Sequence, residues 1–148
     1  MRILGIDYGD RRIGLALSDA LQLVAGGLET LTNSSREHVL DHLRRLVAER
    51  EVSEIVVGLP KNMNGSLGPQ AEKTMQFAEE LKILGRPVHL VDERLTTERA
   101  QRVMTDAGLS RQKRHKKVDR MAAQLILQAY LDARAKRRER REEGLSSP

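Results

Sequence analysis

The stretch ILGIDYGDRRIGLALSD, residues 3–19, decides the fold. Two apolar runs flank Gly9 and Asp10, residue types that close a tight hairpin, so residues 2–8 and 12–18 read as antiparallel strands. The first run ends on Asp7, a carboxylate where a strand would otherwise place Val or Ile. Asp7 is either a metal ligand at the lip of a sheet or a turn residue, and the hairpin alone does not separate the two.

Working outward, GLETLT (27–32) reads as a third short strand. Val39, Leu40, Leu43, Leu46 and Val47 then recur at three- and four-residue steps, predicting an amphipathic helix over 35–50 with Ser34 or Ser35 as its cap. EIVVGLP (54–60) is a β-branched run of the kind buried in a parallel sheet. A polar loop leads to a helix from Pro69 to about Leu84, with Gly85 past its end. PVHLVDE (87–93) is the next strand, residues 96–108 the next helix, and a basic loop precedes a last helix from about Val118 to beyond Lys136. Three strands followed by alternating helices and strands give an α/β mixed sheet, with a hairpin on one side, parallel strands on the other and helices on both faces. One domain is expected over 1–138, with 139–148 a frayed tail because the apolar positions run out.

Composition narrows the chemistry. The chain of 148 residues has no cysteine and four scattered histidines, so any metal sits on oxygen. No signal-type or membrane-spanning stretch is present, and a cytoplasmic protein without a membrane partner is expected. The 26 Lys plus Arg outnumber the 21 Asp plus Glu, which favours a polyanionic partner. Tyr8, Phe77 and Tyr130 are the only aromatic residues, so a nucleic acid would be read through its backbone and shape rather than by stacking.

Three acids fall at matching places in this layout: Asp7 near the end of the first strand, Glu93 at the end of the last strand, and Asp119 in the first turn of the last helix. If the first and last strands are parallel neighbours, their ends meet, and the helix delivers Asp119 to the same edge. Two carboxylates about 4 Å apart repel by roughly 4 kcal/mol at an effective dielectric near 20. A divalent cation removes that conflict, and hard oxygen ligands select one or two Mg²⁺ or Mn²⁺ ions. Such ions serve phosphodiester hydrolysis. Each acid also has a plain structural reading: Asp7 as a hairpin residue, Glu93 as an ion pair with Arg94, Asp119 as a partner of the helix dipole.

The blocks GIDYGDRRIGLALSD, VVGLPKNMNGSLGPQA, VDERLTTERA and KKVDRMAAQLIL resemble, in order and spacing, the YqgF/RuvX family, relatives of the RuvC Holliday junction resolvases. The likeness runs from residue 1 to about 133. It implies an RNase H-like three-layer fold with a mixed five-stranded sheet, and a catalytic metal set corresponding to Asp7, Glu93 and Asp119. It further implies a nuclease that processes the 5′ end of precursor 16S ribosomal RNA, with resolution of branched DNA as the alternative and a non-catalytic nucleic-acid-binding module as the alternative of another class. No nucleotide cofactor is implied, and a homodimer is allowed. Where the resolvases carry a fourth acid one helical turn later, this chain has Ala122 and Ala123.

Substrate contacts are expected from two places. The loop after the 54–60 strand offers Lys61, Asn62, Asn64 and Ser66 for phosphate oxygens. Arg94 and the cluster Lys113, Arg114, Lys116 and Lys117 would draw a polyanion to an otherwise acidic edge. The terminal RAKRRERREE reads as a solvated helix end rather than a binding arm, its glutamates pairing with arginines at helical spacing.

Overall fold

The computed structural model describes residues 1–93 and 111–146, with side chains described for 1–93 and 121–144. Strands β1 (Arg2–Tyr8) and β2 (Arg12–Ser18) form the hairpin, in the register Leu4↔Leu17 through Tyr8↔Ile13. The expected strand over 27–32 is instead two short pieces, β3 (Ala25–Gly27) and β4 (Leu31–Thr32), both pairing with β2. The chain continues through α1 (Arg36–Glu49), β5 (Val52–Leu59), α2 (Pro69–Leu81), β6 (Val88–Asp92) and α3 (Arg111–Ser146). Sheet order is β3-β2-β1-β5-β6, with β5 and β6 parallel to β1 and β4 off the main path. The fold is thus α/β with a mixed sheet, as expected.

Local chemistry explains the helix ends. Ser35 caps α1 by accepting a hydrogen bond from the His38 amide at 3.1 Å. Pro69 opens α2, where its missing N–H costs nothing. A single 3₁₀ turn, Lys82–Leu84, closes on Gly85, whose φ of 74° is the left-handed conformation that glycine tolerates.

The two sheet faces are filled differently. On one, Leu4, Ile6, Ile13, Leu15, Ile55 and Val57 pack against Val39, Leu43 and Val47 of α1 and Phe77, Ala78 and Leu81 of α2. On the other, Ile3, Ala16, Ala25 and Val56 meet Ala123, Ile126, Leu127 and Leu131 of α3. Gly5 lets α3 lie close, since a Cβ there would sit 2.8 Å from Leu127 Cβ and 3.2 Å from the Ala123 carbonyl.

Polar contacts pin α3 at the end of the sheet where β1 and β5 begin. Glu54 accepts from Arg134 Nη1 at 2.6 Å and from the Tyr130 hydroxyl at 3.2 Å. Burial, then the Glu54 charge and its hydrogen bond, raise the Tyr130 phenol above its ordinary range. At the β3 edge, Gln128 Oε1 accepts from the Ala25 amide and Gln124 Nε2 donates to the Ala25 carbonyl.

Three expectations change here. First, β5 lies between β1 and β6, so the first and last strands are not neighbours. Second, the basic stretch after Ser110 is helix rather than loop: α3 begins at Arg111. Asp119 therefore lies in the third turn, beyond the reach of the end-of-helix dipole, and the dipole reading of that residue no longer applies. Third, α3 remains helical through Ser146, across the segment expected to fray, with residues 135–144 all exposed. The helix expected over 96–108 lies outside the described residues.

Candidate active site

Strand register places the acids. Asp7 pairs with Gly14 on β2, and the Ile6↔Val57 pairing carried one residue further sets it level with Gly58 on β5. Asp7 is thus flanked on both neighbouring strands by residues without side chains. Glu93 follows β6 directly, its amide donating to the Leu59 carbonyl at 3.2 Å, one step beyond the Leu59↔Asp92 pair.

Two strand spacings, about 9–10 Å, separate β1 from β6. The Glu93 side chain nevertheless reaches over β5 toward Asp7, whose charge acts on it more strongly than any other. Gly58 makes this possible: a Cβ at that position would lie 2.6 Å from Glu93 Oε2 and would also run into Ile126 Cδ1. The longer acid stands on the far strand and the shorter one on the near strand, with bare backbone between them. Sequence reasoning missed Gly58, although a glycine inside the run EIVVGLP marks a close approach.

Electrostatics follow from that contact. Burial, the charge and hydrogen bond of Asp7, and the charge of Asp92 together push the Glu93 carboxyl up to about 8. Near neutral pH Glu93 is therefore held in its protonated form beside Asp7. Asp92, also missed from the sequence, has Lys61 Nζ 4.0 Å away, which brings the loop after β5 to this same edge.

The donor set fits a divalent cation. Its atoms are all carboxylate oxygens, which suit Mg²⁺ or Mn²⁺ over zinc, and a cation would relieve the repulsion that a proton relieves here. Among the described residues no group of three His, Cys, Asp or Glu converges, so these contribute Asp7 and Glu93. The Asp119 side chain, Arg94, and the side chains of Lys113, Arg114, Lys116 and Lys117 lie outside the described residues.

In the loop, the predicted phosphate donors bind one another. Asn62 Nδ2 donates to Ser66 Oγ at 3.0 Å, and Ser66 donates to Asn64 Oδ1 from its hydroxyl at 2.6 Å and its amide at 3.0 Å. Asn62, Asn64 and Ser66 therefore give the loop its shape, while Lys61 supplies its charge beside Asp92.

Comparison with known proteins identifies relatives of the whole sheet. The family model described as "RuvX: Holliday junction resolvase" matches residues 1–133. A relative from Halothermothrix orenii, named provisionally as a pre-16S rRNA nuclease, is 51% identical over 133 residues, covering 89% of this chain and 95% of its own. A relative of the same name from Thermoanaerobacter pseudethanolicus is 50% identical over 135 residues, covering 90% and 97%. Among solved structures, Thermus thermophilus RuvC in complex with a Holliday junction substrate aligns with TM-score 0.55 at 18% identity, covering 91% of this chain and 96% of that one. The fowlpox virus Holliday junction resolvase aligns with TM-score 0.53 at 12% identity, covering 90% and 99%. These two likenesses establish a shared fold. With the match spanning the whole sheet and both acids that meet at its edge, the chain belongs to the RuvX family.

Proposed function

We propose that this protein is a divalent-metal-dependent nuclease that hydrolyses phosphodiester bonds of structured RNA, maturing the 5′ end of precursor 16S ribosomal RNA in the cytoplasm. The observation that carries the reading is the Asp7–Glu93 pair, brought together across Gly58 at the carboxyl edge of the parallel strands. Open α/β sheets bind their ligands at that edge. A non-catalytic binder has no use for two carboxylates held in mutual repulsion beside its polyanion. The substrate class follows the names of the half-identical relatives.

Asp7 and Glu93 would hold the cation, with Asp119 as the third ligand carried by α3. The cation, when bound, supplies Lewis acidity toward a phosphoryl oxygen and lowers the pKa of water. The chain's own residues set the rest. Gly14 and Gly58 keep the approach to Asp7 clear of side chains. Lys61 lies beside Asp92 and offers a charge to substrate phosphate, with Arg94 and the cluster from Lys113 to Lys117 drawing the polyanion in. The self-bonded loop around Asn64 keeps Lys61 at the edge without spending its charge on the loop.

The test compares wild type with Asp7→Asn on precursor 16S 5′-end RNA and on four-way DNA junctions, with Mg²⁺, Mn²⁺ or EDTA. Divalent-dependent RNA cleavage lost in the variant is the expected outcome. Cleavage that survives the substitution or the chelator would falsify the mechanism. Preference for the junction would move the substrate to branched DNA, which the RuvX description favours.

A further inference from the structure

The family match ends at residue 133, but α3 continues as helix to Ser146, about 18 Å beyond Arg134 at 1.5 Å per residue. Residues 134–143 hold six cations and three carboxylates, a net +3 out of the chain's +5. At about 100° per residue, Arg134, Lys136, Arg137, Arg138, Arg140 and Arg141 fall within an arc of roughly 200°, and Glu139, Glu142 and Glu143 fall together in the remainder. The cationic arc continues the side of the helix that packs Ala123, Ile126, Leu127 and Tyr130 onto the sheet. Past the end of the sheet, the covered face becomes an uncovered basic one.

This arrangement serves the helix itself only in part. Lys136/Glu139, Arg138/Glu142 and Arg140/Glu143 are opposite pairs three or four apart, whereas Arg137 and Arg141 have only cations at those spacings, and like charges stand four apart at Arg134/Arg138, Lys136/Arg140, Arg137/Arg141 and Glu139/Glu143. The spacing thus meets the expectation of ion pairing for the three glutamates and leaves Arg137 and Arg141 without a carboxylate three or four residues away. Lined-up cations repel unless an anion of matching length lies along them, and a phosphate backbone is such an anion.

We propose that this arm, Lys136–Arg141, docks the phosphate backbone of duplex RNA about 20 Å along the helix from the carboxylate pair, while Arg134 stays bound to Glu54. The proposal rests on the nuclease reading for its choice of RNA. The arm adds affinity to long substrates and takes no part in bond cleavage.

The test titrates the full chain in EDTA against a labelled RNA duplex at several salt concentrations. Replacing Arg137, Arg138, Arg140 and Arg141 by Gln lowers affinity about tenfold or more and reduces the salt slope by about 3. The charge-conserving exchange R137E/E139R/R141E/E143R produces a similar loss although net charge is unchanged. With Mg²⁺ or Mn²⁺ present, cleavage of an oligonucleotide too short to reach the arm is the same in wild type and the Gln variant. Unchanged affinity and slope in the Gln variant, or binding by the exchange variant equal to wild type, overturns the proposal. So does an arm-dependent affinity for anionic-lipid vesicles with none for RNA. Because binding is read in EDTA, loss of cleavage alone counts against the nuclease reading and not against the arm.

Discussion

The two faces of the sheet solve different problems with the same strands. On the face under α1 and α2 the buried positions of β1, β2 and β5 are Leu, Ile and Val, and the C-terminal end of β1 is held by Tyr8 stacked on Phe77, ring centroids 4.2 Å apart, with Arg36 bonded to the Tyr8 hydroxyl and lying over both rings. On the face under α3 the inward positions of the central strands thin out toward the same end, to Gly5 and then Asp7 on β1 and to Gly58 on β5. One face is packed to hold the edge still; the other is carved to leave charged groups room there. Stability and chemistry are thereby separated by the thickness of one strand, and substitutions on the two faces should fail in different assays.

The sharpest break comes at the carved face. Asp7→Asn or Glu93→Gln is expected to lower divalent-dependent cleavage by about 10³-fold, equivalent to roughly 4 kcal/mol of transition-state stabilisation. Melting temperature in EDTA should hold near neutral pH and rise above pH 8, where the ionised pair of the wild type repels. A matching loss of thermal stability would mean that the carboxylates are structural. On the packed face, Phe77→Ala should cost about 3–5 kcal/mol of folding stability by denaturant titration while leaving turnover per folded molecule within a few fold. If Phe77→Ala removes activity from fully folded protein, the separation between faces is wrong.

Gly58→Ala sits between these cases. Its Cβ meets both Glu93 and Ile126, so a stability cost of about 1–3 kcal/mol is expected together with loss of cleavage. Adding Ile126→Val relieves one collision and should recover stability but not activity. Recovery of both would show that Glu93 can reach Asp7 by another path.

The last comparison is in pH. In the metal-free protein Glu93 keeps its proton up to about 8, while the unfolded chain releases it near 4.5. The unfolded state thus binds fewer protons between those values, so this contribution to stability is complete below about 4.5 and lost as pH rises through about 8. Urea midpoints measured without metal should fall across that window, and the fall should shrink in Asp7→Asn, where the largest neighbouring charge is absent. Adding Mg²⁺ or Mn²⁺ should reverse the trend, since the deprotonated pair is the form that binds.

Much of this was legible in the residues. Alternation and the GDR turn fixed the hairpin register, the Val39–Leu43–Val47 spacing marked α1, and Pro69 and Gly85 bracketed α2 and its closing turn. Strand order was not legible, because a run such as EIVV records burial on both faces but not which neighbours it has. For the same reason the carboxylate pair was identified while its means of meeting was not. Contact across an intervening strand depends on the missing side chain of Gly58, and that matters only once β5 is known to lie between the acids. The start of α3 was hidden by the lack of apolar positions in RQKRHKK, where the helix is sustained by the packed turns from Ala122 onward rather than by any periodicity of its own. Asp92 drew no reading of its own because its influence is through space, toward Lys61 and Glu93.

The glutamines at the β3 margin carry a different implication. By engaging the Ala25 amide and carbonyl, Gln124 and Gln128 occupy hydrogen-bonding groups that an incoming extended peptide would need for sheet extension. Crowded conditions that drive other open sheets to stack margin to margin should find this border already sealed, leaving the molecule slow to form fibres through it.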